Sequence, residues 1–401
     1  MFECTEAGAE KFLPDTSSIG AKDRKKEWAA LVECASPQRS APHLSQLLQG
    51  SVDWRALLAR AEEHGVLGLL AERRKELNSS TPPEIRETLR EWERRQTVFA
   101  LSLIAEMFHL LEHFAGLGIE ALVTKGPALS ARCYGEPGRR QYGDLDLVVR
   151  DKDIRRSTET MIALGYAPTV PLSAIQASKF PGEYAFHKRG TQLLVEFHTE
   201  RTFRYHPRRL PIEKLFERRT YVTIDGRQVP ALSIEDELVL ICVHGAKHFW
   251  ERLMWIADVG ALVSKNNAVD WKRAMAAACE VGAERILRLG LRLAMEVVGA
   301  ELPEQVAAQV RADSSVYRLA AQITKRLAAG DSGRMRILER AAFRVKMRGG
   351  FWDGVAYLIR LSLSPTEEDW VPGEEAERSW LLDALGRPAR LARKHGRNSH
   401  A

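Results

Sequence analysis

GDLDLVVR, residues Gly143 to Arg150, sets two carboxylates two positions apart at the start of an apolar run. In a β-strand, residues i and i+2 project from the same face, about 7 Å apart along the chain. Asp144 and Asp146 therefore share one face, and Leu145 and Leu147 take the other, toward a core. Two carboxylates side by side repel each other, and a divalent cation between them relieves the repulsion. Hard oxygen ligands of this kind suit Mg²⁺, which takes one or two carboxylates together with substrate phosphates. A D-x-D triplet alone also describes a solvated strand edge, so its neighbours decide the reading. Upstream, Lys125-Gly126-Pro127 lies between a short apolar run and a helix-like segment, where backbone N–H groups and a helix N-terminus make an anion site. Downstream, Glu196 stands in LLVEFH beside Leu194 and Phe197, able to bring a third carboxylate to the pair.

Other residues could serve this site or simply stabilise the fold. Lys125 and Arg140 flank the proposed pocket and could neutralise triphosphate oxygens, arginine by a bidentate grip. Arg140 stands four residues before Asp144 and could equally pair with it. His198, two after Glu196, shares its face and could hydrogen-bond a metal ligand or belong to a plain cross-strand pair. His244 and His248 are four apart and share a helical face, with Asp258 ten residues further on. The three could supply a proton acceptor or a nucleotide contact, or form a polar helix surface where two units meet. Gly245 follows the first histidine where a zinc protease needs glutamate, so that chemistry is excluded. Arg336, Arg340, Arg344 and Arg348 recur every four residues, a basic stripe that could track nucleic-acid phosphates or stay solvated.

The elements that must position these residues change character along the chain. Residues 1–45 are polar with Ser and Pro and read as a flexible leader. Residues 46–118 have helical apolar spacing, with Leu103, Met107, Leu110, Leu111 and Phe114 on one stripe. Residues 119–233 form the proposed catalytic core, with strands expected at IEALVT, DLDLVV, GEYAFHK and TQLLVEFH. YVTIDGRQVPALS adds a hairpin that turns at Asp225-Gly226. KGPALSARCYG and DIRRSTETMIALGY read as helices between them. Residues 234–364 return to helix, with Ser233 and the acids Glu235, Asp236 and Glu237 marking a helix start. Residues 365–401 read as a loop and a basic tail. The fold class expected is α+β, a small mixed-sheet core flanked by helical regions.

Composition removes several alternatives. The 401 residues carry 59 basic and 53 acidic side chains, a net charge of +6 that neither demands nor forbids an anionic partner. Cys4, Cys34, Cys133, Cys242 and Cys279 are scattered without paired spacing, which argues against a disulfide framework or zinc ribbon and fits a reducing cytoplasm. No apolar run reaches the roughly 18 uninterrupted residues of a membrane span, and the first residues lack a secretory apolar core. The chain has no G-x-x-x-x-G-K-[ST] loop, no G-x-G-x-x-G and no G-x-S-x-G.

A glycine turn, a D-x-D strand end and a later strand carboxylate, in that order, resemble the nucleotidyltransferase superfamily typified by DNA polymerase beta. LVTKGPALSARCYGEPGRRQYGDLDLVV resembles the signature of the bacterial nucleotidyltransferase-family proteins, with similar features at LLVEFH, HGAKHFWERLMWIADV, VDW (269–271) and RPARLARK. The helical DWRALLARAEEHGVLGLLAE is also similar, so the likeness spans roughly residues 50–395. It implies a nucleotidyltransferase core in which Asp144, Asp146 and Glu196 hold Mg²⁺ or Mn²⁺ and Gly126 forms the phosphate-side turn. An NTP such as ATP would donate its NMP to a hydroxyl on a small-molecule, peptide or nucleic-acid acceptor, without a membrane partner. Gly126-Pro127 departs from the superfamily's Gly-Ser, and the 18 positions from Gly126 to Asp144 exceed its usual gap. Those departures keep open a kinase-like phosphotransferase, a non-catalytic nucleotide-binding regulator and an RNA-modifying toxin-like enzyme.

Overall fold

The computed structural model describes residues 23–363 apart from 39, 50–51, 74–80, 173–174, 176–181, 201–209, 266–268, 331–334 and 336. The expected loop and basic tail, residues 365–401, therefore lie outside the described residues. The centre of the molecule is a seven-stranded mixed sheet, and the fold is α+β. In chain order its strands are β1 (Ala121–Thr124), β2 (Asp144–Val149), β3 (Tyr166–Pro168), β4 (Glu183–Lys188), β5 (Leu194–His198), β6 (Thr220–Ile224) and β7 (Arg227–Ala231). Across the sheet they run β3-β4-β5-β2-β1-β7-β6. β2 is antiparallel to β1 and parallel to β5, and so lies at the middle.

The alternation of β2 and β5 divides the sheet into two chemically different faces. Leu145, Leu147 and Val149, with Val195 and Phe197, enter one hydrophobic cluster. That cluster is closed by Leu103, Met107, Leu110 and Phe114 from the helix Pro83–Gly116. Each such side chain contributes about 1.5–3 kcal/mol by leaving water. This helix, 34 residues long, is apolar enough to cross a membrane by length and composition, but its apolar stripe is buried on the sheet. The opposite face carries Leu122 and Val148 into a second cluster built mainly from helices after residue 234. Asp146, Glu196 and His198 emerge on that second face, between sheet and helices.

Several expected elements form for the reasons read from the chain. Asp225 and Gly226 both take positive φ, 49° and 72°, the geometry of a tight hairpin between β6 and β7. Ser233 caps the helix Ile234–Lys247 by accepting from the Asp236 N–H. Asp270 caps Trp271–Val281 in the same way through Arg273. One expectation needs correction. Residues 23–35 and 41–47 are helices rather than loose leader, and Ala30, Leu31, Cys34 and Leu44 are buried in the helical cluster. Charged residues spaced around those few apolar positions hide the pattern in the sequence. β3 also went unread, because Tyr166-Ala167-Pro168 is too short to show alternation.

Candidate active site

Asp146 and Glu196 are direct partners in the parallel ladder of β2 and β5, so one pleat brings both carboxylates to the same face. Asp144 is opposite Leu194 and Val148 opposite His198 in the same register. Asp146 is 1% exposed, whereas Asp144, at the head of β2, and Glu196, at the middle of β5, are half-buried. Lys125 donates from Nζ to Asp146 Oδ1 at 2.8 Å. His198 Nε2 meets the same Oδ1 at 2.5 Å and lies 3.9 Å from Glu196 Oε2.

These contacts set the charges. Burial alone would keep Asp146 protonated, but Lys125 and His198 outweigh it and hold the carboxyl well below its ordinary range. Burial, with Asp146 next to it, pushes Glu196 up to about 7. Burial opposes charge on Lys125 as well, yet Asp146, Asp144 and Glu196 together raise its ammonium above the usual lysine value. The centre is thus an acid-rich face to which the Lys125 ammonium is tethered.

Lys125 reaches Asp146 because the turn after β1 is held in an unusual backbone shape. Lys125 has φ 51° and Gly126 φ 42°, a region that glycine tolerates and lysine resists. The buried carboxylate of Glu237 secures it, accepting from the Lys125 N–H at 2.9 Å and from Thr124 Oγ1 at 3.2 Å. Burial raises the Glu237 carboxyl, against the pull of Arg132 and these donors. A Cβ on Gly126 would stand 3.4 Å from the Asp144 carbonyl, so the bend lies against the start of β2. Pro127 falls in the first turn of the helix Gly126–Tyr134, where its missing N–H costs nothing within the helix.

Two of the candidate residues do something other than expected. Arg140 does not present its guanidinium to a phosphate; Nε donates to Asp258 Oδ2 at 2.9 Å, with both side chains buried. Asp258 also accepts from Tyr134 at 2.8 Å, so it is not joined to His244 and His248 as a proton acceptor. This buried network ties the loop before β2 to the helix Leu253–Lys265. The two histidines pack on each other at 4.7 Å and against Trp255. Burial and the nearby cations lower both, His248 to about 3, so they are neutral rings. The arginine stripe is likewise partly internal: Arg340 and Arg344 lie over Phe249, and Arg348, 3% exposed, over Tyr357. Arg336 lies outside the described residues.

Three contributors escaped the sequence reading: Thr124, Glu237 and Glu183. Glu183 is the register partner of His198 on β4, and its carboxylate lies 4.0 Å from His198 Nδ1. Lys247 donates to both oxygens of Glu183, at 3.0 and 2.9 Å. Nothing local marks these residues, since every partner is remote in sequence. As a donor set, Asp146, Glu196 and His198 each offer one ligand atom, all within 4.8 Å of one another. That spacing and mixture of oxygen and nitrogen fit a divalent cation.

A family model described as an uncharacterised nucleotidyltransferase matches residues 50–299. Among solved structures, an antigenic nucleotidyltransferase-like protein from Paracoccidioides brasiliensis is similar to the chain at 15% identity, with a TM-score of 0.33. That likeness covers 56% of this chain and 96% of the other. No curated protein matches the chain.

Proposed function

Because this chain belongs to the uncharacterised nucleotidyltransferase family, we propose that its carboxylate face moves the NMP of an NTP, such as ATP, onto a hydroxyl-bearing acceptor. The supporting observation is the direct pairing of Asp146 with Glu196 on a half-buried face. Asp144 lies at the head of the same strand, and Lys125 is already drawn to the acids. Asp144, Asp146 and Glu196 would hold Mg²⁺ or Mn²⁺. When bound, such an ion neutralises triphosphate oxygens and offsets charge on the leaving group.

The chain's own residues do the rest. Asp146 would help hold the cation, and the Lys125 ammonium, now paired to it at 2.8 Å, would be available to a phosphate oxygen. The Gly126 N–H, backed by the helix dipole, would face the same anion, the Lys125 N–H being held by Glu237. The acceptor hydroxyl oxygen forms a bond to the α-phosphorus and gives its proton to solvent, while the bond to pyrophosphate breaks. Neutral His244, His248 and Trp255 offer ring edges beside this charged centre. Buried free thiols at Cys133 and Cys242 support a reducing cytoplasm as the setting.

The test is incubation with each labelled NTP, a divalent ion and a cell extract. Transfer of the NMP label with release of pyrophosphate supports the reading; release of a nucleoside diphosphate identifies a kinase-like reaction instead. Asp146→Asn should lower transfer by at least about 100-fold, on the scale of losing a principal electrostatic contact, while circular dichroism stays unchanged. Full activity in that variant removes the proposal. Binding of nucleotide without transfer is the second reading, favoured by Pro127, which brings neither hydroxyl nor N–H to the phosphates.

A further inference from the structure

We infer that His198 is itself a metal ligand, and that the site therefore selects Mn²⁺ or a later first-row divalent ion over Mg²⁺. The inference rests on the proposed carboxylate-held cation and deepens it by adding a nitrogen ligand to the carboxylates and naming the class of ion.

The geometry carries the argument in three steps. An ion bound about 2.1 Å from each of two adjacent ligands holds those ligands roughly 3 Å apart. His198 Nε2 lies 2.5 Å from Asp146 Oδ1 and 3.9 Å from Glu196 Oε2, so the observed separations bracket that spacing. Small side-chain rotations would centre the three atoms on one cation. Second, the ring is oriented for the task. His198 is opposite Glu183 in the β4–β5 ladder, and its Nδ1 faces Glu183 Oε1 at 4.0 Å. A metal-bound histidine characteristically turns its other ring nitrogen toward a carboxylate, which fixes the tautomer and strengthens the bound nitrogen as a donor. Glu183 is in turn anchored by Lys247 at both oxygens. Third, the contact to Asp146 alone does not require that relay, since Lys125 already neutralises the same oxygen.

Ligand type then decides the ion. Mg²⁺ demands near-ideal oxygen coordination and keeps its waters, whereas imidazole raises affinity along the first-row series beginning at Mn²⁺. Adding His198 to Asp146 and Glu196 thus favours Mn²⁺ or a later first-row ion over Mg²⁺.

The experiment is Mn²⁺ binding to the full chain, followed by titration calorimetry and pulsed electron paramagnetic resonance. The bound ion should show nitrogen coupling that changes when histidine is labelled with ¹⁵N. His198→Gln should remove that coupling and weaken Mn²⁺ binding at least about tenfold, the lower bound for loss of even an orienting partner, while Mg²⁺ binding changes far less. Glu183→Gln should keep the coupling and weaken binding partially. If His198→Gln does not fold, His244→Gln and His248→Gln must both retain the coupling seen in the parent chain. A bound Mn²⁺ without nitrogen coupling, unaltered affinity in His198→Gln, or no Mn²⁺ binding at all overturns the assignment. Nitrogen coupling without nucleotidyl transfer would leave the ligand in place and remove the transferase reading; transfer without coupling would do the reverse.

Discussion

Glu237 accepts the backbone N–H of Lys125 at 2.9 Å, across 112 positions of sequence. The contact joins the first helix after the sheet to the one turn from which an ammonium reaches Asp146. Glu237→Ala leaves the Lys125 N–H and the Thr124 hydroxyl without this acceptor, and each buried unsatisfied group costs about 1–3 kcal/mol. The urea midpoint should fall accordingly, and transfer activity should drop with it as Lys125 loses its place. Glu237→Gln, which keeps an acceptor of the same shape, should retain most of both. Equal losses in the two variants would show that the carboxylate's charge, rather than its hydrogen bonds, matters at this turn.

Arg140 and Asp258 form a buried ion pair, so removing one partner strands the other. Arg140→Ala should destabilise the fold by about 3–5 kcal/mol, measured by chemical denaturation. The double change Arg140→Met with Asp258→Leu should recover part of that loss, because an apolar pair leaves no stranded charge. A variant of Arg140 with intact stability and a raised KM for NTP would place the guanidinium on the phosphates instead.

His64 lends the fold an acid sensitivity of its own. It is 1% exposed, and burial, with Arg60 and Arg252 nearby, lowers its pKa from 6.5 to about 3. Below 6.5 the unfolded chain binds a proton at His64 that the folded chain refuses, so stability falls as pH drops from 6.5 toward 3. The slope contributed is at most about 1.4 kcal/mol per pH unit. Urea midpoints measured from pH 7 to pH 4 should decline less steeply in His64→Gln than in the parent chain; parallel slopes would assign the effect elsewhere.

Gly245 gives the Trp250 ring its room. A Cβ at that position would lie 2.7 Å from the indole, which is fully buried. Gly245→Ala should therefore lower stability by about 1–3 kcal/mol through overpacking, read as a fall in melting temperature. An unchanged melting temperature would mean that Trp250 has a second rotamer available.

The chain's local chemistry exposes the scaffold more readily than the partnerships built on it. Alternation marks β2 and β5, and Asp225-Gly226 marks the last hairpin, because each signal lies within a few residues. The shared face of Asp144 and Asp146 follows from the strand period alone. The pairing of Arg140 with Asp258 could not be read this way: the partners are 118 residues apart, and arginine before a D-x-D run suits a phosphate equally well. Glu235, Asp236 and Glu237 illustrate the same limit. They look like first-turn acids favoured by a helix dipole, yet Asp236 grips Arg218, Glu235 accepts from the Asp270 N–H and Glu237 holds the Lys125 turn.

The in-register pairing of β2 with β5 ties the carboxylate face to the buried core. Slipping β5 by a single residue would lodge Val195 and Phe197 beside Asp146 and drive Glu196 and His198 into grease against Phe114. A misaligned chain would thus forfeit its interior along with its carboxylate cluster.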